Sequence, residues 1–140
     1  MTETSKRKVT LVRESLGVYV ATNAKGGTVR FGPETEDGFS AVELLLAAVA
    51  GCSGIDLDYM TSRRAEPVRF DVVSEATQEK GDDGNILRDV TVTFRLEFPP
   101  GEDGDKARDR IDVALKASHD KTCTVARTLE AATPVVLRKA

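Results

Sequence analysis

Tryptophan is absent from this chain, tyrosine occurs twice, histidine once and cysteine twice in 140 residues. So few flat aromatic rings leave no surface on which nucleic-acid bases would stack. The formal net charge of −3 lacks the basic excess that phosphate backbones demand, so nucleic acid is not an expected partner. Long apolar runs are missing too. The most apolar stretch, Val42 to Ile55, carries Glu43 near one end and stops at Asp56, well short of the roughly 20 residues that span a bilayer. No membrane partner is expected. The first eight residues, Met1 to Lys8, are polar and lack the apolar segment of a secretory signal, which places the expected location in the cytoplasm. There are no internal repeats or low-complexity segments.

What remains is the composition of an ordinary globular protein, 40% hydrophobic and 31% charged, long enough for one core and expected to form a single domain over 1–140. Short alternating bursts open the chain. Lys8–Val12, Gly17–Thr22 and Thr28–Phe31 read as three antiparallel strands, separated by turns at Glu14–Gly17 and Asn23–Gly27 and stopped by Gly32-Pro33. From Ser40 the pattern becomes helical and continues to Arg63 or Arg64. Ser40 followed three residues later by Glu43 is a capping box, in which each side chain satisfies a free N–H of the first turn. Its first half is apolar on nearly all sides, which marks a helix expected to be enclosed by protein. Ala47, Ala48, Ala50, Gly51 and Gly54 would admit another backbone close to it.

Alternation returns in Val68–Thr77 and Asp89–Phe98, a hairpin with one apolar face that turns at Gly81–Asn85. Asp105 to Ser118 predicts a second helix, Val125 to Glu130 a short third, and Val135–Arg138 a final strand. The expected order is βββ-α-ββ-α-α-β, an α+β fold.

Cys52 falls within the long apolar helix and Cys123 opens the short one. In a reducing compartment a permanent disulfide is unusual, which leaves a packed thiol, a metal ligand or a transient redox pair for each. A buried cysteine often only fills space. Cys123 differs, because Thr122 or Thr124 would cap the helix it opens and Arg127 adds positive charge one turn on. Asp56 follows Cys52 by one turn, where an unneutralised carboxylate would raise the thiol pKa; its bland reading is a carboxylate bonded to backbone or to an Arg. His119, after the second helix, reads as a cation near carbonyl ends. Zinc held by Cys52, Cys123, His119 and Asp56 would have suitable ligand types, but the paired CxxC spacing is absent.

The run Val42-Glu43-Leu44-Leu45-Leu46-Ala47-Ala48-Val49-Ala50-Gly51-Cys52-Ser53-Gly54-Ile55-Asp56, with Lys121-Thr122-Cys123-Thr124-Val125-Ala126-Arg127-Thr128-Leu129, resembles the OsmC/Ohr family of osmotically inducible and organic hydroperoxide resistance proteins, in a divergent OsmC-like branch. The resemblance spans nearly the whole chain. It implies antiparallel sheets around central helices in an intertwined homodimer, with active sites at the interface. It also implies thiol peroxidase activity in the oxidative stress response. Cys52 would attack an organic hydroperoxide and become a sulfenic acid, Cys123 would resolve it as a disulfide, and an external dithiol would reduce that disulfide, with no metal or bound cofactor. In the family a Glu ten positions before the first Cys and an Arg from the N-terminal sheet activate the thiolate. Here the tenth position is Val42. Glu43, nine back, stands about 900° around an ideal helix and so on the far side from Cys52, which favours capping over activation. Arg13 and Arg30 are the candidates for the Arg. The alternative from another class is a non-peroxidase protein that holds a small hydrophobic or thiol-bearing ligand in the dimer-interface pocket.

Overall fold

In the computed structural model, which describes residues 2–140, three strands, a long helix, a hairpin and a helical C-terminal segment follow one another. Met1, the first residue of the polar N-terminal stretch, lies outside the described residues. The chain divides into two compact units, one ending at Leu45 and the other running from Leu46 to Ala140.

The first unit is an antiparallel sheet of β1 (Thr10–Ser15), β2 (Val18–Thr22) and β3 (Thr28–Phe31), with β2 in the centre. The first strand begins two residues later than its apolar alternation suggests and runs through to a tight Leu16-Gly17 turn, with an irregular register between Arg13 and Ser15. In the next turn Asn23 accepts from the N–H groups of Lys25 and Gly27 through Oδ1, the local bonding that favours Asn in turns. After β3 the chain folds back on the first turn, where Glu34 donates its N–H to the Gly17 carbonyl at 3.2 Å. Gly32 makes that return feasible. Its φ is +134°, and a Cβ there would stand 2.1 Å from the Gly17 carbonyl oxygen.

Helix α1 (Ala41–Ser62) starts at the expected capping box: Ser40 donates its N–H to Glu43 Oε1 at 2.9 Å, and Glu43 donates its N–H to Ser40 Oγ at 3.2 Å. The expectation of an enclosed helix is not met within the chain. Only Val49, Gly54, Leu57 and Thr61 are buried, a single stripe, while Ile55 and Tyr59 are 55% and 69% exposed. A sheet covers one side of a helix, and an all-round apolar helix needs cover on the others.

In the second unit β4 (Arg69–Gly81) and β5 (Gly84–Glu97) form the hairpin, longer at its tip than the apolar alternation suggests and closed by Asp82-Asp83. Phe70 pairs with Leu96, Val72 with Phe94 and Ser74 with Val92, all turned to the half-buried face. Phe70 and Val72 reach Gly54 of α1, where an added Cβ would find them at 3.9 and 4.0 Å. Ala76 faces two residues, Asp89 and Val90, and Asp89 takes a positive φ of 54° at this bulge.

The predicted second helix is divided. It forms as α2 (Glu102–Asp109) and α3 (Ile111–Ala117), because Arg110 donates its N–H to Ala107 three residues back and tightens the turn there. It begins earlier than predicted, with Glu102, Asp103 and Asp105 in a first turn that favours acidic groups. A π-helical turn (Ser118–Thr122) and α4 (Thr124–Glu130) follow. The predicted strand at Val135–Arg138 does not form. Val135, Val136 and Leu137 are 82%, 81% and 91% exposed, since a strand exists only by pairing and no other strand of the chain pairs with this segment among the described residues. No helix among them is long and apolar enough to cross a membrane.

Candidate functional site

Two elements of the second unit carry the thiols. Cys52 occupies the middle of α1 and is half-buried; Cys123 ends the π-helical turn and is 0% exposed. Both are free; the Cys123 thiol is near enough to act on that of Cys52, and Ser53, the residue after Cys52, donates to the Cys123 sulfur at 3.2 Å. Folding therefore brings together two sulfurs that stand 71 residues apart in sequence (123 − 52).

Cys123 caps α4 itself. Its sulfur accepts from the N–H of Ala126 at 3.4 Å, so neither Thr122 nor Thr124 takes the capping role expected from their hydroxyls. A second donor arrives from α1, where Ser53 gives its hydroxyl hydrogen to the same sulfur at 3.2 Å. Thr122 turns instead to Asp56.

Asp56 Oδ2 accepts from Thr122 Oγ1 and from Ser118 Oγ, each at 2.8 Å. Its partners are two hydroxyls, not the backbone or Arg groups expected for it. Thr122 Oγ1 also stands 3.4 Å from the Ala117 carbonyl, but its one hydrogen serves the shorter bond to the carboxylate. Ser118 is almost wholly buried, and its carbonyl accepts the Cys123 N–H at 2.9 Å. The turn before Cys123 is thus tied at both ends to the helix that bears Cys52. Neither Ser53 nor Ser118 stood out in the sequence. A hydroxyl next to each cysteine-bearing motif is too common a pattern to single out without coordinates.

Burial is the foremost influence on Cys52 and pushes its thiol up from the ordinary value; the N–H of Val125 opposes it, the adjacent Cys123 thiol adds to it, and the N–H of Thr124 opposes it more weakly. A raised thiol is a poor nucleophile at neutral pH until a positive charge reaches it. Arg127 is exposed on α4. Arg13 and Arg30 belong to the N-terminal sheet, where Arg30 donates through Nε to Glu14 Oε2 at 2.9 Å. Glu43 is committed to the Ser40 N–H, whose hydrogen bond holds its carboxyl below the usual value.

His119 turns to carboxylates. Nδ1 lies 3.0 Å from Asp120 Oδ1 and Nε2 lies 3.0 Å from Glu130 Oε1, and these bonds raise its pKa. Lys116, 2.7 Å from Asp120 Oδ2, and His119 hold the Asp120 carboxyl at about 2. Among the described residues no three His, Cys, Asp or Glu side chains gather as a metal would require.

A family model described as OsmC-like protein matches residues 33–138. Uncharacterised proteins of Mycobacterium tuberculosis and Mycobacterium bovis are 29% identical over 120 residues, covering 85% of either chain. Among solved structures, a hypothetical protein from Aquifex aeolicus aligns over 93% of this chain and 91% of its own at TM-score 0.72 and 20% identity. An OsmC-like protein of unknown function from Vibrio cholerae covers 91% and 95% at TM-score 0.73 and 11% identity. An organic hydroperoxide resistance protein of Bacillus subtilis covers 89% and 90% at TM-score 0.51 and 16% identity.

Proposed function

The chain belongs to the OsmC-like protein family, and from that premise we propose that it is a thiol peroxidase that reduces organic hydroperoxides with Cys52 and Cys123. The observation that carries this reading is that the turn of α1 bearing the half-buried Cys52 is bonded through Ser53 to the sulfur of the fully buried Cys123. The hydroperoxide resistance proteins among the structural neighbours support the substrate class.

The Cys52 thiolate attacks the distal oxygen of ROOH; an S–O bond forms, the O–O bond breaks, and RO⁻ leaves as ROH after taking a proton. Cys123 sulfur then attacks the sulfenic sulfur, the S–S bond forms, and hydroxide departs with the Cys123 proton as water. Two electrons pass from the thiols to the peroxide, and an external dithiol returns them. No metal or bound cofactor enters the scheme.

Activation of Cys52 requires a cation, and Arg13, Arg30 and Arg127 are the candidates. We assign the assembly as a homodimer, supported by the apolar groups the single chain leaves in solvent: Ile55 and Tyr59 of α1 and Val135–Leu137 of the tail. The cytoplasm, where dithiol reductants are supplied, is the compartment this chemistry fits.

Turnover of cumene hydroperoxide by reduced protein, with a dithiol as electron donor, tests the reading. Wild type consumes peroxide and forms the Cys52–Cys123 disulfide, while Cys52→Ser does neither. Retention of both free thiols in wild type after peroxide treatment removes the enzymatic reading. A second reading, a protein that binds a small hydrophobic or thiol-bearing ligand, is favoured by the upward push of burial on Cys52, since binding needs no thiolate.

A further inference from the structure

Asp56 stands one turn beyond Cys52 on α1, yet its two hydrogen-bond partners bracket the turn that delivers Cys123. Ser118 Oγ and Thr122 Oγ1 both donate to the same carboxylate oxygen at 2.8 Å, and Cys123 is the next residue in the chain. The carbonyl of Ser118 in turn accepts the Cys123 N–H at 2.9 Å. From these bonds we infer that Asp56 is a positioning residue for Cys123: it fastens the π-helical turn to the Cys52-bearing helix and so sets the approach of the two sulfurs for disulfide closure. This rests on the thiol peroxidase reading for its place in turnover, but the closure itself is a property of the two thiols under any oxidant.

The geometry assigns Asp56 to the second chemical step. Attack of Cys52 on ROOH needs only the Cys52 sulfur, the peroxide and whatever cation activates the thiol. Closure needs the Cys123 sulfur in line with the S–O bond that breaks, and a misplacement of about 1 Å at a reacting atom is costly in rate. Charge-assisted bonds hold such a placement better than neutral ones. A π-helical segment is rare and commonly adjoins functional sites, and here it is the element that Asp56 closes at both ends.

The test compares wild type with Asp56→Ala, Asp56→Asn and Thr122→Val, each as the full chain with thermal melting recorded. Closure is followed first with diamide, an oxidant that needs no peroxidase activity, and then with cumene hydroperoxide, where dimedone traps the Cys52 sulfenic acid. Asp56→Ala is expected to slow closure by about tenfold with either oxidant, the scale of losing hydrogen bonds to a charged group. Its disulfide shifts toward the dithiol form in a dithiothreitol redox buffer, and its sulfenic acid forms at close to the wild-type rate and accumulates. Asp56→Asn, which keeps an oxygen acceptor, recovers most of the closure rate. Thr122→Val, which removes one donor, slows closure by about threefold and carries the test if Asp56→Ala does not fold. Wild-type closure rates in both Asp56→Ala and Thr122→Val, or equal losses in Asp56→Asn and Asp56→Ala, overturn the assignment. Closure by diamide with no consumption of hydroperoxide removes the peroxidase reading and leaves the assignment of Asp56 to be judged by the diamide arm.

Discussion

Ser53 donates its hydroxyl hydrogen to the Cys123 sulfur at 3.2 Å, a bond between residues 70 positions apart. Because Ser53 follows Cys52 directly, one turn of α1 presents both a thiol and a donor to the same partner. Ser53→Ala leaves the Cys123 side chain held by the Ala126 N–H alone. Disulfide closure under diamide is expected to slow by about threefold with a fall in stability of about 1 kcal/mol. An unchanged closure rate, measured by free-thiol titration against time, would show that the bond has no part in placing the sulfur.

The upward push on Cys52 has a signed consequence. The thiolate is the reactive form, so raising the pKa lowers the reactive fraction at neutral pH. Alkylation of Cys52 by iodoacetamide should therefore climb by about tenfold for each pH unit between about pH 7 and about pH 9, without a plateau. Peptide mapping of the labelled protein separates Cys52 from Cys123. A plateau below about pH 7 would mean that a cation from Arg13, Arg30, Arg127 or a second copy already sits beside the sulfur.

His119 joins the π-helical turn to the end of α4 through Asp120 and Glu130. Its folded pKa lies above the ordinary 6.5, chiefly because Asp120 and then Glu130 bond to the charged form. A histidine raised in the folded state contributes stability that is complete below its unfolded pKa and is lost as pH rises through its folded value. The effect is small because the ring is largely exposed. Melting temperature should decline slightly from about pH 6 to about pH 8, and His119→Gln should flatten that decline. Imidazole resonances with a midpoint at or below the ordinary value would contradict the two carboxylate bonds.

At the start of α1 the capping box makes a separate prediction. Ser40→Ala removes the acceptor for the Glu43 N–H and is expected to cost about 1 kcal/mol, read from denaturant unfolding. Glu43 accepts from Ser40 N–H as a carboxylate with a lowered pKa, so the stabilisation is present above its unfolded pKa and is lost as pH falls through the folded value. Equal stability of Ser40→Ala and wild type at neutral pH would show that the cap is idle in solution.

Gly32 offers the largest stability effect. Replacing it with Ala drives a Cβ into the Gly17 carbonyl and forces a side chain into a positive-φ conformation. A loss of about 3 kcal/mol is expected, with the change confined to the N-terminal sheet in hydrogen exchange. Protection of β1 to β3 equal to wild type would count against the close return of the chain at this point.

Local patterns were the readable part of the fold. Ser40 and Glu43 sit three apart before an apolar run, and the box closes as that spacing requires. Phe70 and Val72 alternate with Arg69 and Asp71 and line one face of the hairpin with Ser74, while Val73 points to the exposed face. Arg110 divides a continuous helical period by a bond to Ala107 that no periodicity encodes. Val135 to Leu137 has strand composition, yet composition supplies no partner edge.

The sequence by itself determined most of the helical and extended segments, though not the absence of a strand at Val135–Arg138 or the division at Arg110, together with the family they resemble and the two thiols around which chemistry could be argued, because propensity, capping and alternation act over a few residues. Tertiary structure alone decided that Cys52 and Cys123 meet, that Cys123 and not a threonine caps α4, and that Asp56 spends its charge on Ser118 and Thr122. The bonds that tie α1 to the segment around Cys123 join residues more than 60 positions apart, whereas the cap itself reaches only from Cys123 to Ala126. Such pairings depend on how buried groups satisfy one another once the chain has folded, and no local pattern carries that information.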